Sequence, residues 1–306
     1  FTAPRTQGKS RTPSPLFATG VLGASLLTLG GSDTQKQTYL PQIVEGALTT
    51  ALALEEGNRH APYFIQTEAK KKDGKFVISG SKNFVIDGHS SKLLMVVART
   101  EGSIDDASGI TIFLVDPDEQ GVEITKTIMV DSRNAANIEF NNVSVSSDNI
   151  LGEENNGASL LELVLDRAQI AISAEMLGNA SQAFDLTLQY LKERKQFGAV
   201  IGTFQALQHR AAEMYSELEL TKSSIIAACN AVDDNSNDLR RMASLAKFKS
   251  GETNHLITNE AVQMHGGVGV TDEYDVGLFM KRARVTEQIF GNSEYHIDRY
   301  ATLSDY

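Results

Sequence analysis

The chain has 306 residues, 41% hydrophobic and 22% charged, with a formal net charge of −11. Such a composition is typical of a globular protein, and the length allows two domains with separate cores. The negative charge argues against a nucleic-acid-binding protein, which needs a basic surface. One cysteine, Cys229, excludes an internal disulfide, and no Cys and His cluster has metal-ligand spacing. We therefore expect no metal and a reducing, cytoplasmic location.

The N-terminal part is predicted to be helical. Residues 13–47 are expected to form short helices, the second beginning at Ser32 or Asp33, since both side chains are good N-caps. The most apolar stretch, residues 15–31, contains Gly, Ser and Thr. It is shorter than the ~20 apolar residues that span a bilayer, so we predict no membrane span. Because the chain begins at Phe1, we also expect N-terminal sequence to be missing.

Residues 50–150 have the pattern of a β-rich region. "KKDGKFVISGSKNFVIDG" (71–88) predicts two strands joined by a turn at Asp73-Gly74. More β-rich runs follow, namely "SKLLMVVART", "GITIFLVDP" and "ANIEFNNVSV". No helical periodicity lies between these runs, so they predict an antiparallel sheet or barrel.

The remainder is predicted to be helical, with helices near 157–193, 203–232, 236–265 and 272–302. Four long helices with short connections predict an antiparallel bundle. In the first helix, one face is expected to be buried and consists of Leu163, Ile170, Leu177, Phe184 and Leu188. Asp166 lies on the same face, where a carboxylate is costly unless it meets a partner or a pocket.

Four segments carry a resemblance to a known family. They are "GSDTQKQTYLPQIVEG" (31–46), "FNNVSVSSDNILGEENNG" (140–157), "RKQFGAVIGTFQALQ" (194–208) and "QMHGGVGVTDEYDV" (263–276). In order and spacing they resemble the acyl-CoA dehydrogenase flavoproteins. The resemblance implies an α+β fold with a remnant of an N-terminal helical domain (1–49), a middle antiparallel β-domain (50–152) and a C-terminal four-helix bundle (153–306).

The resemblance also implies a cofactor and a reaction. Family members bind FAD and desaturate an acyl-CoA thioester: a carboxylate takes the α-proton, and the β-carbon delivers hydride to the flavin. The ADP end of FAD reaches a neighbouring subunit. The positions that match cofactor contacts are Arg194, Gln196, Phe197, Gln205, Gln263, Met264, His265, Gly266, Gly267, Phe84, Val85, Ile86 and Asn292. A plain surface loop at 194–198 and an ordinary helix C-cap at 266–267 are the alternative interpretations.

The positions of the catalytic base depart from the family pattern. The family takes its base either next to a C-terminal glycine or from the first bundle helix. The matching residues here are Phe290 and Ala168, and neither can accept a proton. Gln169 stands where an arginine usually meets substrate. Asp166 matches a family aspartate that contacts the CoA arm, but it could also be a displaced base or a structural partner of Arg167.

A chain that keeps the matching cofactor contacts but lacks the base resembles the small subunits of heteromeric bacterial acyl-CoA dehydrogenases of the pimeloyl or steroid-side-chain type. We therefore expect an acyl-CoA substrate, a second subunit in a heterotetramer, and electron transfer flavoprotein as acceptor. Two alternatives stay open: an active homo-oligomer that uses Asp166, and a flavin-free paralogue that binds acyl-CoA or protein.

Overall fold

The structure, a computed structural model, describes residues 2–10 and 14–306. The chain divides into two compact units, one formed by Pro15–Ala168 and the other by the described part of 1–14 with Gln169–Tyr306. The helices are α1 (Thr2–Ser10), α2 (Ala24–Gly30), α3 (Asp33–Val44), α4 (Gly157–Glu193), α5 (Gln205–Asp233), α6 (Leu239–His265), α7 (Val276–Gln288) and α8 (Ser293–Thr302). The strands are β1 (Thr50–Ala53), β2 (Glu68–Lys72), β3 (Lys75–Ile86), β4 (Leu93–Arg99), β5 (Ile110–Val115), β6 (Val122–Ile128), β7 (Asn134–Ser146), β8 (Ile150–Leu151), β9 (Lys195–Gln196) and β10 (Ala199–Val200).

The first unit is built on a sheet in the order β6-β7-β3-β2-β4-β5-β8, with β1 added beside β4. The turn predicted at Asp73-Gly74 is confirmed: both residues have positive φ, 50° and 77°, and they join antiparallel β2 and β3. The expectation of a purely antiparallel sheet is wrong for β4, because β1 and β2 both run parallel to it. Long connections before β4 allow that direction, which a short hairpin cannot.

The N-terminal helices of this unit follow the prediction closely. A π-helical segment, Leu16–Gly23, leads into α2. Helix α3 begins after Ser32, whose hydroxyl accepts from the backbone N–H of Gln35, while the Gln35 side chain accepts from the N–H of Ser32. This reciprocal capping box confirms the predicted start. Residue 13, the first of the predicted helical stretch, lies outside the described residues.

Helix α4 has the predicted bounds, 157–193, and is almost completely buried over its middle turns. The predicted buried face is correct at Ile170, Leu177 and Phe184 but wrong at Leu163, which is 47% exposed. In the first turns of α4 the buried residues are instead Leu161, Val164, Leu165 and Ala168. Their i, i+3, i+4, i+7 spacing defines a buried face that leaves Leu163 outside.

The last predicted helix, 272–302, is in fact two helices. Helix α7 ends at Gln288 and α8 begins at Ser293. Between them Phe290 and Gly291 adopt positive φ values of 56° and 101°, which no helix can continue through. The break brings residues 287–292 into a tight turn.

Helix α1, which sequence reasoning did not predict, packs on α4 through glycines. A β-carbon at Gly8 would clash with the backbone of Glu175, and one at Gly178 would clash with the carbonyl of Arg5. The two backbones therefore approach each other more closely than side chains would allow. Within 2–10 and 14–306, no helix is both long enough and apolar enough to cross a membrane.

Candidate functional site

A short exposed hairpin follows α4 and carries the first of the predicted cofactor residues. Strands β9 and β10 pair antiparallel across Phe197 and Gly198, whose φ values are 54° and 79°. Glycine adopts this conformation freely, but it is uncommon for phenylalanine, and such outliers concentrate at functional sites. The ring of Phe197 is 90% exposed and lies 6.3 Å, centroid to centroid, from that of Phe204. An exposed ring held in this way is available to contact a ligand or a partner.

The polar side chains of this region are exposed and make no internal bonds. Within the part of the chain that the structure describes, Arg194, Gln196, Gln205 and Gln263 form no side-chain hydrogen bond or ion pair. A guanidinium and three amides are therefore free to bind an external group. Arginine is suited to phosphate, because its planar donors match phosphate oxygens in two parallel hydrogen bonds.

Tyr190 brings the hairpin and the glycine motif at 266–267 together. The carbonyl of Tyr190 accepts from the backbone N–H of Arg194 at 2.9 Å, and its hydroxyl donates to the carbonyl of His265 at 3.3 Å. The Tyr190 ring also stacks on the His265 ring at 4.2 Å. Two motifs about seventy residues apart in sequence thus form one surface in space.

The end of α6 presents backbone to solvent at this surface. Gly266 has φ 64°, and nothing lies within 4 Å of a β-carbon placed on Gly266 or Gly267. This open space lets a ligand approach the backbone closely, although the N–H of Gly266 already donates to the carbonyl of Gln263 as the cap of α6. The side chains of Met264 and His265 are buried, so neither contributes to the exposed surface. Burial lowers the pKa of His265, although its Nδ1 donates to the carbonyl of Ala261, which opposes the shift.

We call the exposed surface of Arg194, Gln196, Phe197, Gln205, Gln263, Gly266 and Gly267 the hairpin face. The chemistry of these residues can be compared with that of a nucleotide. The hairpin face offers one cation, three amides, an exposed aromatic ring and an open pair of glycines. A pyrophosphate accepts hydrogen bonds from such a cation and such amides, and the aromatic ring can pack on the ring system of a nucleotide. The residues present therefore fit the nucleotide part of FAD.

The predicted flavin-ring residues lie in the other unit. Phe84 has φ 49° and is 53% exposed, whereas the side chain of Val85 is buried and Ile86 is half-buried. The backbone N–H of Phe84 donates to Oδ1 of Asn137 at 3.2 Å. Ile86 can pack on a ring but cannot donate a side-chain hydrogen bond to it.

The loop before these residues is tied down by a buried ion pair. Nζ of Lys82 donates to Oε1 of Glu56 at 2.7 Å and to the carbonyl of Leu54 at 3.0 Å. Burial lowers the pKa of Lys82 to about 8, although Glu56 opposes the shift. Burial alone would raise the pKa of Glu56, but Lys82 and hydrogen bonds from Thr67 lower it overall. The segment "EEGNRH" (55–60) is therefore anchored to β3 through Glu56.

Neither of the two positions predicted for the base holds a proton acceptor. Ala168 is completely buried, and Phe290 is 7% exposed. Asp166 is also completely buried, as its place on the apolar face predicted. A carboxylate in such a position is costly to charge unless its surroundings compensate.

Gln169 is committed to internal contacts. It is 1% exposed; its Nε2 donates to the carbonyl of Phe290 at 3.4 Å, and its Oε1 accepts from Nη1 of Arg299 at 3.2 Å. Both ends of the amide are thus used within the helical unit. A substrate contact through Gln169, as expected from its position in sequence, would have to use the remaining donor or acceptor of this buried amide.

Sequence reasoning missed Lys247, which is 2% exposed and whose Nζ donates to the carbonyls of Glu287 and Gly291. Burial lowers its pKa to about 7, although the charge on Glu287 opposes the shift. A signal was present: Lys247 lies between Ala243 and Gly251 on the buried face of α6. A lysine that lies four residues before one small buried residue of a helix and four residues after another faces the core.

The comparisons with known proteins identify the family. Residues 155–302 match the model of the acyl-CoA dehydrogenase C-terminal domain, and residues 51–143 match that of the middle domain. The chain belongs to the acyl-CoA dehydrogenase family, whose cofactor is FAD.

Three similar proteins show the extent of the match. The bovine short/branched chain specific acyl-CoA dehydrogenase, a mitochondrial protein, is 32% identical over 89% of this chain, which spans 63% of its length. Butyryl-CoA dehydrogenase from Megasphaera elsdenii superposes with a TM-score of 0.90 at 28% identity, covering 95% of this chain and 77% of that one. The structure named "Tcur3481-Tcur3483 steroid ACAD G363A variant" gives 0.88 at 28% identity, covering 99% and 79%.

Proposed function

We propose that this chain is a subunit of an FAD-dependent acyl-CoA dehydrogenase and lends FAD contacts to a partner chain that carries the catalytic base. One observation carries the proposal: among the described residues the polar side chains of the hairpin face are exposed and make no side-chain bonds, whereas both predicted base positions, Phe290 and Ala168, are buried hydrocarbon. A chain that served its own flavin alone would need the base as much as the nucleotide contacts.

The proposed roles follow from the chemistry of the side chains. Arg194 and Gln196 bind the pyrophosphate, Phe197 packs beside the nucleotide, and the open space at Gly266 and Gly267 lets the nucleotide approach the backbone closely. Bound FAD supplies a hydride acceptor for the β-carbon of the thioester. Since this chain offers no carboxylate at either base position, the α-proton is removed by a carboxylate of the partner chain.

The comparison proteins support the unlike-chain arrangement. The name of one similar structure gives two proteins together, Tcur3481 and Tcur3483, as a "steroid ACAD". We extend this to the present chain as part of the proposal: a heterotetramer in the cytoplasm, an acyl-CoA substrate, and electron transfer flavoprotein as acceptor. The acyl group is left open.

The deciding experiment is to purify the chain alone and together with the product of the neighbouring gene, and to record visible absorption. A flavin spectrum in the complex only is the expected result. A yellow, active protein from this chain alone, inactivated by Asp166→Asn, would establish the homo-oligomer instead. No flavin in either preparation would favour the flavin-free paralogue.

A matched pair of variants tests whether the flavin content of the complex depends on the hairpin face. Arg194→Gln should lower the flavin content of the complex, because it removes the cation from the phosphate contact. Lys192→Gln removes an exposed positive charge two residues earlier, in the last turn of α4, and should leave the flavin content unchanged. Equal losses in the two variants would indicate a general charge effect and count against the proposed contact.

A further inference from the structure

The turn between α7 and α8 is held by a buried lysine from a third helix. Nζ of Lys247 donates to the carbonyl of Glu287 at 2.9 Å and to that of Gly291 at 2.8 Å. The last carbonyls of a helix have no partner within the helix, and a cation is favoured beside them. Lys247 therefore ties the end of α7 to Gly291, near the end of the following turn.

Two more buried side chains bind the carbonyl between these two points. Nε2 of His296 donates to the carbonyl of Phe290 at 3.0 Å, and Nε2 of Gln169 donates to it at 3.4 Å. Arg299 holds Gln169 in turn, and its Nη1 also donates to the hydroxyl of Ser244 at 3.0 Å. Three carbonyls within five residues thus receive four hydrogen bonds from three side chains.

This bracing is needed because the turn is conformationally costly. Phe290 and Gly291 are consecutive residues with positive φ, and a non-glycine residue there costs about 1–3 kcal/mol unless its surroundings enforce it. A β-carbon at Gly291 would clash with the ring of Tyr295, so the turn also lies close against α8. Asn292 follows at once, and its Oδ1 accepts from the N–H of Tyr295 at 3.0 Å.

We propose that Lys247, Gln169 and His296 are positioning residues that clamp the turn 287–291, and that this clamp holds Asn292 in the place from which it contacts the flavin nucleotide. We call the segment 287–291 the clamped turn. The inference rests on the proposed function for its second half only. The first half concerns the backbone of this chain and holds with or without flavin.

The test compares Lys247→Met with Lys249→Met in the full chain. The first variant removes the donors and keeps most of the hydrocarbon stem; the second removes a lysine from the same helix that pairs with Glu217 instead. Amide hydrogen exchange is measured by mass spectrometry on peptides covering 289–296 and on core peptides of α4. We expect exchange at 289–296 to quicken about tenfold in Lys247→Met only, with the α4 peptides unchanged.

A second readout separates the clamp from the proposed function. FAD affinity of the complex with the partner chain should fall several-fold in Lys247→Met and not in Lys249→Met. Unchanged exchange at 289–296 would overturn the clamp. Faster exchange with unchanged FAD affinity would overturn the link to Asn292, while the colour of the complex and Arg194→Gln test the function independently.

A further variant covers the case in which Lys247→Met does not fold. Gln169→Leu removes one donor to the Phe290 carbonyl and keeps the volume of the side chain. Exchange at 289–296 should then rise about threefold, a smaller change because the other donors remain. Exchange equal to that of the unmodified chain would overturn the proposal.

Discussion

The hairpin face and the clamped turn use the same kinds of side chain for opposite purposes. Arg194 and Gln196 are exposed and make no side-chain bonds within the described chain. Arg299 and Gln169 carry the same functional groups, but Gln169 is buried and Arg299 is half-buried. They are bonded to each other and to the backbone. Both regions include residues that the sequence predicted to be cofactor, substrate or base positions, yet only the side chains of the first are exposed and available to bind something else.

The difference shows that residue type and position do not by themselves define a binding group. A side chain that is already bonded must give up that bond when it binds a ligand, whereas an exposed one exchanges only water. Buried polar groups are therefore expected to contribute to the stability of this chain, and exposed ones to its affinity for FAD. The predictions below test that division, beginning with the largest effect.

The largest effect is expected at the buried ion pair between α4 and α7. Nε and Nη2 of Arg282 both lie 2.8 Å from Oε1 of Glu175, and both residues are buried. Arg282→Met leaves a buried carboxylate without this partner, so the free energy of unfolding should fall by about 3–5 kcal/mol. Urea denaturation measures the change.

The neighbouring residue provides the control for this variant. Lys281→Met removes an exposed charge from the same helix and should alter stability by less than about 0.5 kcal/mol. The double variant Glu175→Gln with Arg282→Met should recover part of the loss, because no uncompensated charge remains. If the free energy of unfolding fell no more in Arg282→Met than in Lys281→Met, the buried ion pair would not stabilise the chain as proposed.

The second prediction concerns pH. The pKa of Lys247 is about 7 in the folded chain and 10.5 for an ordinary lysine, so between these values the unfolded chain binds more protons than the folded one. Stability from this group therefore increases as pH rises from about 7 to about 10 and is reduced below that range. Lys247→Met lacks this increase, so its stability deficit should widen with pH.

Comparing the two proteins at each pH cancels the other titrating groups, including Lys82, whose pKa shifts in the same direction. Urea titrations at several pH values between 7 and 10 give the difference directly. A deficit that stays constant across this range would show that the lysine is not desolvated as its burial implies.

The sequence predicted the long elements well because their signals are local and repeated. The bounds of α4 follow from ten turns of periodic apolar residues, and the β2–β3 turn follows from Asp73-Gly74. Helix α1 was missed because Pro4 and Gly8 are poor helix formers. Its contact with α4 depends on Gly8 and Gly178, which are 170 residues apart in sequence.

The candidate site was predictable in part for the same reason. The motifs at 194–208 and 263–276 identify the hairpin face, but only the fold shows that Tyr190 joins them. The clamped turn could not be predicted, because Lys247 binds carbonyl groups, and every residue has one. Gly291-Asn292 was the single local sign that the last helix would break there.

The third prediction concerns Arg194, an exposed residue of the hairpin face. Arg194→Gln should weaken FAD binding by the complex about 10–100-fold, since a charge-assisted hydrogen bond contributes about 1.5–3 kcal/mol. The free energy of unfolding of the chain alone should change by less than about 0.5 kcal/mol. Fluorescence titration with FAD measures the first quantity, and thermal melting checks the second. A large loss of stability with unchanged affinity would reverse the assignment of this residue.

The smallest effect is expected at Gly267, where structure and binding should respond in opposite directions. Its φ lies outside the left-handed region and nothing lies within 4 Å of an added β-carbon. Gly267→Ala should therefore leave the chain alone equally stable or more stable by up to about 1 kcal/mol, because alanine restricts the unfolded state. The same methyl group occupies the space where the nucleotide approaches the backbone, so FAD affinity of the complex should fall several-fold.

Gly277→Ala is the matched control, because it lies in α7 and its added β-carbon would make only an ordinary contact at 3.6 Å with the carbonyl of Gly269. It should raise stability in the same way and leave FAD affinity unchanged. The pair isolates the open space at Gly267 from the general effect of replacing glycine. If both variants bound FAD as tightly as the unmodified complex, the open glycine pair would be only a helix C-cap, and the nucleotide would have to lie elsewhere on the hairpin face.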